Sequence, residues 1–213
     1  MKRLIIGLAL SCLLLAGCQM HVGGLTTDED TGEVVSQSYE YENGVYDISV
    51  YEDLGNLVIE KGDSFRVECS FPEKYMPTVT CKDNKLTITH ENESTNVNTA
   101  SGWKIYMTIP ESCTINNLEL EVNLGDIKMN DVSCNDFSCQ SNLGNVKLNN
   151  VSISKIDLEV NSGNLTGKNI SFESGKIESN LGDVTLDGNI SDNVSISANL
   201  GTITINGNKV EED

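Results

Sequence analysis

A five-residue motif returns every nineteen residues through the C-terminal half of the chain, and this repeat restricts the fold more than any other feature. The motif reads Asn-Leu-Gly-Asp-Ile where it first occurs, and its glycines are Gly125, Gly144, Gly163, Gly182 and Gly201. No insertion or deletion interrupts the period. A short, fixed period is typical of stacked solenoids, in which each repeat contacts only its neighbours.

The apolar residues keep the same register. An apolar residue follows each motif glycine by two positions, and a second alternating pair precedes it, as at Leu118 and Leu120. A third inward position is predicted at Val132, Val151, Ile170 and Ile190, the last displaced by one residue. Because alternation with a period of two indicates strands, we predict an all-β fold, a single-stranded β-helix with five coils of nineteen residues.

The polar residues of the motif predict the corners of these coils. Glycine permits a positive φ or a close backbone approach, and the asparagine two positions earlier can stack on its equivalent in the next coil, with amide hydrogen bonds between them. The predicted turn ladder consists of Asn123, Gly125, Asn142, Gly144, Asn161, Gly163, Asn180, Gly182, Asn199 and Gly201.

The N-terminus predicts export and a lipid anchor. Lys2 and Arg3 precede an apolar run that is too short to span a membrane but suits a secretion signal. The sequence Leu15-Ala16-Gly17-Cys18 resembles the lipobox of bacterial lipoproteins, which implies cleavage before Cys18 and acylation of that residue. Two or more acyl chains anchor a protein stably. The alternative is an ordinary signal peptide with an incidental cysteine.

These observations divide the chain into five predicted segments. Residues 1–17 form a lipoprotein signal peptide, and residues 18–38 contain the lipidated cysteine and a flexible tether. Residues 39–115 form irregular N-terminal β coils that cap the stack, although the phrase around Gly55 is an imperfect copy of the motif. Residues 116–210 form the five-coil solenoid, and residues 211–213 are an acidic tail.

The charge balance disfavours nucleic acid as a partner. The net charge is −18, and removal of residues 1–17 takes away two basic residues and no acidic ones, which leaves −20. Such a surface repels nucleic acid and anionic lipid headgroups. A soluble acidic surface without a specific cationic partner is the simplest interpretation.

The sequence predicts no catalytic residue, no cofactor and no metal site. Its two histidines are His21, in the tether, and His90, which we expect on the surface. A catalytic triad or a histidine-based metal site therefore cannot be assembled. Asp126 and Asp183 share one column and are the candidates for cation binding, but aspartate is also a common turn residue, and we favour that role.

Five cysteines remain after Cys12 and Cys18 are set aside. Cys139 fits an inward column, whereas Cys69 with Cys81, or Cys113 with Cys134, could form disulfides. An odd number cannot all pair within the chain. Buried or unbridged thiols are slightly favoured.

The strand from Ile105 to Pro110, the segment Leu118-Glu-Leu-Glu-Val-Asn-Leu-Gly-Asp-Ile and the following Gly-Asp or Gly-Asn coils resemble the bacterial putative adhesin domain of unknown function. The resemblance covers residues 40–208 and implies an exported, toast-rack-like β-solenoid without catalytic residues.

Three functions follow as hypotheses. The first is a non-catalytic lipoprotein of the cell membrane or outer membrane, anchored outside the cytoplasm, which binds an unknown protein or a cell-wall glycan in adhesion or envelope sensing. The second is a polysaccharide-acting β-helix enzyme, which the short coils disfavour. The third is a structural spacer without a specific ligand.

Overall fold

A computed structural model describes residues 32–41, 47–90 and 102–210 of the chain. The predicted signal peptide, Cys18, His21, residues 91–101 and the acidic tail lie outside the described residues. Of the predicted tether, only the part from residue 32 onward is described. The strands are β1 (Val34–Tyr41), β2 (Asp47–Leu54), β3 (Asn56–Gly62), β4 (Phe65–Pro72), β5 (Thr78–Lys82), β6 (Lys85–His90), β7 (Lys104–Pro110), β8 (Ile115–Leu124), β9 (Ile127–Asn130), β10 (Ser133–Leu143), β11 (Val146–Asn149), β12 (Ser152–Ser162), β13 (Leu165–Leu181), β14 (Val184–Ile190), β15 (Val194–Leu200), β16 (Ile203–Ile205) and β17 (Asn208–Val210).

The strands form two parallel stacks that meet at the motif glycines. The first stack runs in the order β6, β2, β8, β10, β12, β13 and β15. The second runs β7, β3, β9, β11, β13, β14 and β16. Parallel partners from β8 onward are nineteen residues apart, as Leu120, Cys139 and Leu158 illustrate, except that Ile170 to Phe172 pair with residues eighteen positions later. The predicted all-β solenoid is confirmed.

The core lies between the stacks and consists of inward columns. Val146, Leu148 and Leu165 are fully buried, as alternation predicts. Each buried aliphatic side chain contributes about 1.5–3 kcal/mol of hydrophobic stabilisation, and a single coil could not bury its side chains without the neighbours on either side.

Residues 39–115 are more regular than the sequence indicates. Strands β2 and β3 form a coil in register with the repeat, since Leu54 pairs with Leu124 and Leu57 with Ile127. Strands β6 and β7 form a further coil on its outer side. Antiparallel strands β1, β4 and β5 then close this end. The interval of 70 residues between Gly55 and Gly125 therefore holds the cap, inserted between two adjacent coils.

One expected inward position requires correction. Ile190 does not belong to the column of Ile170, because the register shifts between Lys168 and Ile170 and places Gly188 opposite Ile170. Ile190 instead pairs with Phe172, in a column that the sequence analysis missed. That column contains Ile115, Cys134, Ile153, Phe172 and Ile190.

The two ends of the solenoid differ. The N-terminal end is covered by the cap, where Trp103 and Phe71 are fully buried. At the other end β17 pairs antiparallel with β16, whereas β15 pairs only with β13 within the described part of the chain. In the ranges described, no helix has the length and apolar character needed to span a bilayer.

Candidate binding surface

The motif glycines form the corner of every coil because no side chain fits there. Gly144 has φ of +154°, and a Cβ atom built on it would lie 1.9 Å from the carbonyl oxygen of Gly125. Gly125 stands in the same relation to Gly55, at 1.8 Å. Successive corner backbones are thus in direct contact, which leaves room only for hydrogen at Cα.

The asparagines of the predicted ladder hydrogen-bond from coil to coil. Each Nδ2 donates to the Oδ1 one coil earlier, and the series begins on Asp53. The distances are 2.6 Å from Asn123 to Asp53, 2.5 Å from Asn142 to Asn123, 2.8 Å from Asn161 to Asn142, 2.5 Å from Asn180 to Asn161 and 2.6 Å from Asn199 to Asn180. All ten ladder residues therefore lie in two columns, one of asparagines and one of glycines, with one further column between them.

The column after the glycine forms a second series of hydrogen bonds, now to the backbone. Oδ1 of Asp126 accepts the backbone N–H of Asn145 at 2.8 Å, and Oδ1 of Asp183 accepts that of Thr202 at 2.8 Å. The Thr202 hydroxyl also donates to Asp183 and, with that amide, lowers the pKa of this carboxyl. Within the described ranges, no group of three or more acidic, cysteine or histidine side chains could hold a metal ion. Both aspartates therefore accept a backbone hydrogen bond from the next coil.

Between these two series lies a column of exposed leucines, which we call the leucine column. Its members are Leu124, Leu143, Leu181 and Leu200, with Ser162 at the middle coil. The leucines are 47%, 52%, 51% and 67% exposed. Only three other large hydrophobic side chains in the described residues are exposed, namely Val34, Val35 and Val210.

Sequence reasoning did not identify the leucine column as a surface. Leu124 follows the inward Leu118, Leu120 and Val122 with the same parity, so alternation alone places it inside. The corner at Gly125 ends this alternation and turns the side chain outward. Ser162, a polar residue in the equivalent position, was the available signal.

The leucine column runs along a surface that is acidic on the side of the first stack. Asp126 and Asp183 lie on one side of it, and Asp53 begins the ladder on the other. Glu121, Glu159 and Glu178 point outward from the neighbouring strands of the first stack. The arrangement presents apolar contact area between rows of hydrogen-bonded amides and carboxylates.

Comparison with protein families agrees with this architecture. The model of the Toastrack DUF4097 family matches residues 45–213. The chain belongs to the Toastrack DUF4097 family. No curated protein matches it in sequence.

The chain also matches three solved structures at low sequence identity. A putative adhesin from Bacteroides fragilis shares 15% identity, with a TM-score of 0.47, over 85% of this chain and 100% of that one. A putative cell adhesion protein from Clostridium sporogenes shares 14% identity, with a TM-score of 0.46, over 81% and 99% of the two chains. A putative lipid binding protein from Parabacteroides distasonis has 13% identity and a TM-score of 0.27, over 80% and 96%.

A buried contact between Glu52 and His90 corrects the expectation that His90 lies on the surface. This residue is 3% exposed, not on the surface, and its Nδ1 contacts Oε1 of Glu52, which is 1% exposed. The two residues are paired across β6 and β2, at the start of the inward column that continues through Val122. Their partnership was hidden because 38 residues separate them in sequence.

The remaining polar atoms of this pair, Glu52 Oε2 and His90 Nε2, are buried without a hydrogen-bond partner. Burial raises the pKa of the Glu52 carboxyl, while the contact with His90 and the N–H of Leu54, which donates to Oε1 at 3.1 Å, act in the opposite direction. Phe71 and Trp103 pack against the imidazole at centroid distances of 4.9 and 6.0 Å. The pair is enclosed in the cap and belongs to its core.

The cysteines of this Toastrack domain are core or partly buried residues. Cys69, Cys81, Cys134 and Cys139 carry unbridged thiols, so neither suggested disulfide is present. Cys134 lies in an inward column between Ile115 and Ile153, and the residue opposite it on β8 is Ile115, not Cys113. Burial raises the pKa of both Cys134 and Cys139 to about 12, which makes these thiols poor nucleophiles.

Proposed function

We propose that this chain is a non-catalytic binding module of the bacterial cell envelope, of the adhesin type. The observation that supports this proposal most directly is the leucine column. Monomeric proteins rarely expose aligned large apolar side chains, and such patches with polar rims mark interaction sites. Here the rims are the two hydrogen-bonded series that fix the leucines in place.

The surface is already ordered before a partner binds. The corner backbone is held by the glycine contacts and by hydrogen bonds between asparagine side-chain amides of successive coils. A surface that is ordered before binding loses little conformational entropy when a partner arrives. The partner that such a surface suits is a protein or a cell-wall glycan, and the chain would present the surface without chemical turnover.

Cross-linking in intact cells tests this function. A photoreactive amino acid at Gln140, exposed on the strand that leads to Leu143, is expected to give a discrete cross-linked product. The matched control is the same amino acid at Ser152, which is also exposed. Ser152 begins β12, at the opposite end of that strand from the leucine column. The Leu143→Ser substitution should abolish the product from position 140. Identical products from both positions, or none, would favour the structural spacer.

We also propose that the chain is attached to the membrane through lipid on Cys18. Support comes from the basic start, the short apolar run and the position of the cysteine. In cells that are grown with an alkyne-tagged fatty acid, the chain that begins at Cys18 should carry the label, and the Cys18→Ala variant should lose the label and leave the membrane fraction. The Cys12→Ala variant is the control, because Cys12 lies inside the cleaved signal. Labelling that persists in Cys18→Ala would contradict the proposal.

A further inference from the structure

We propose that the leucine column is the docking site for an amphipathic α-helix of another protein. The apolar face of that helix is bordered by lysine or arginine. This inference rests on the proposed binding function and names the class of partner. The spacing of the column, the charges beside it and the burial of Leu54 in the first coil support it.

The spacing of the column favours a helix. Neighbouring strands lie about 4.8 Å apart, so the four intervals from Leu124 to Leu200 span about 19 Å. Successive turns of an α-helix repeat every 5.4 Å or so, a mismatch of about 0.6 Å per coil. An extended peptide repeats its same-face side chains at about 6.7 Å, and its misfit of about 2 Å per coil accumulates quickly. About thirteen helical residues cover the column.

The charges around the column indicate which charged residues should border the apolar face of the partner helix. Asp126 and Asp183 flank the leucines, and Glu121, Glu159 and Glu178 extend the acidic region over the first stack. Lys128 and Lys147 are exposed on β9 and β11 of the second stack, so the excess of negative charge lies on the side of the first stack. The chain as a whole carries a net charge of −18. A second copy of this chain would bring like charges together, whereas a helix with basic borders complements them.

The first coil differs from the later coils at this column. Leu54 occupies the same column as Leu124, yet it is buried as part of the core. The ring of Phe71, from the cap, lies beside the adjacent corner, within 3.3 Å of a Cβ built on Gly55. At this corner Phe71 thus takes the axial position that the preceding coil takes at the later corners, and the leucines of the later coils are exposed.

Ser162 adds a local detail. It replaces leucine at the middle coil, and its smaller side chain leaves a gap between Leu143 and Leu181. The docked helix would place its largest apolar residue over this gap. The same serine shows that the corner accepts a small polar residue without loss of the fold, which supplies a substitution for the test.

The test uses a synthetic sixteen-residue helical peptide with leucines on one face and lysines beside them. A charge-matched peptide with serines in place of the leucines, and a peptide with glutamates in place of the lysines, are the controls. Binding to the purified full-length chain, held in phosphatidylcholine nanodiscs, is measured by fluorescence anisotropy at low and high salt. We expect at least tenfold tighter binding of the first peptide than of either control, with partial loss at high salt.

Variants assign the binding to the column. The double variant Leu143→Ser, Leu181→Ser should bind the peptide at least tenfold more weakly, and Ser162→Leu should bind it more tightly. The control is Val34→Ser, Val35→Ser, which removes equally exposed side chains from β1 and should bind like the unsubstituted chain. Thermal unfolding monitors the fold of each variant.

Two results would overturn the inference. Equal peptide affinity in the unsubstituted chain and the Leu143→Ser, Leu181→Ser variant would show that the leucines are not the site. A concentration-dependent dimer that this variant loses would show that a second copy occupies the column. If the peptide fails but cross-linking from position 140 captures a partner, the helical class is wrong and the binding function stands; failure of the cross-linking itself would overturn the function.

Discussion

At the scale of single residues, polar side chains that look alike in sequence serve different purposes. The asparagines of the ladder and the aspartates after the glycine hold adjacent coils together. Glu52 and His90, in contrast, are buried in the cap with one polar atom each left unpartnered. Buried polar groups of this kind reduce stability unless they are fully satisfied.

The Glu52→Gln variant should change how stability depends on pH. Burial raises the pKa of Glu52 above its ordinary value of 4.5, so the folded state holds this proton more tightly than the unfolded state. Its contribution to stability is complete below that ordinary value and is lost as pH rises through the raised pKa. The loss has a maximum slope of about 1.4 kcal/mol per pH unit, and Glu52→Gln should remove it.

Urea unfolding at several pH values from 4 to 8 measures this difference. Glu173→Gln, on an exposed side chain of β13, is the control and should follow the unsubstituted chain. Parallel stability profiles for the Glu52→Gln variant and the unsubstituted chain would contradict the assignment.

At the scale of the coil, the corner glycine sets the distance between neighbours. Its carbonyl oxygen occupies the space where the next glycine would carry a side chain. The interval of nineteen residues is therefore maintained by backbone contact as well as by the inward columns. The ladders add hydrogen bonds that run along the axis, perpendicular to the strands.

The Gly144→Ala variant is expected to lose about 3 kcal/mol or more of unfolding free energy. The new methyl group would meet the carbonyl oxygen of Gly125 at 1.9 Å, so the backbone must move. Gly207→Ala is the matched control, because Gly207 also has positive φ, +78°, but no atom lies within 4 Å of the added carbon. That variant should lose only about 1 kcal/mol. Chemical denaturation compares the two, and equal losses would refute the packing explanation.

Much of the coil could be predicted from sequence, and the exceptions have physical reasons. Gly125 and Asn123 were identifiable because they repeat in a fixed register. Leu124 was not recognised as exposed, since a corner reverses the direction that alternation indicates. The burial of His90 depends on Glu52, a contact between distant parts of the sequence. The coil at Leu54 was obscured because the cap is inserted between it and the next coil.

At the scale of the whole molecule, the protein is a linear stack with one closed end. Contacts between consecutive coils account for the core, so stability is approximately a sum over coils and their interfaces. The cap covers the first coil with antiparallel strands, whereas the last coil has β17 beside β16 only.

Deletion of residues 134–152 should yield a folded protein that is shorter by one coil. The cut joins Ser133 to Ile153, which follow the same register as Ser152 and Ile153. We expect cooperative urea unfolding with a smaller m-value, since less surface is buried. Deletion of residues 134–151, one residue fewer, shifts every inward side chain of the following strand outward and should prevent folding. Circular dichroism distinguishes the two, and a folded shorter deletion would contradict the model of fixed register.

The constant length of the coil has an evolutionary consequence. Nineteen codons encode one coil with its corner, its ladder residues and one position of the leucine column. An in-frame duplication of that stretch of DNA adds a complete coil without altering any existing contact except at the point of insertion. Each duplication also lengthens the exposed column by one side chain, so natural selection can adjust the reach of the surface by copying a unit that already folds.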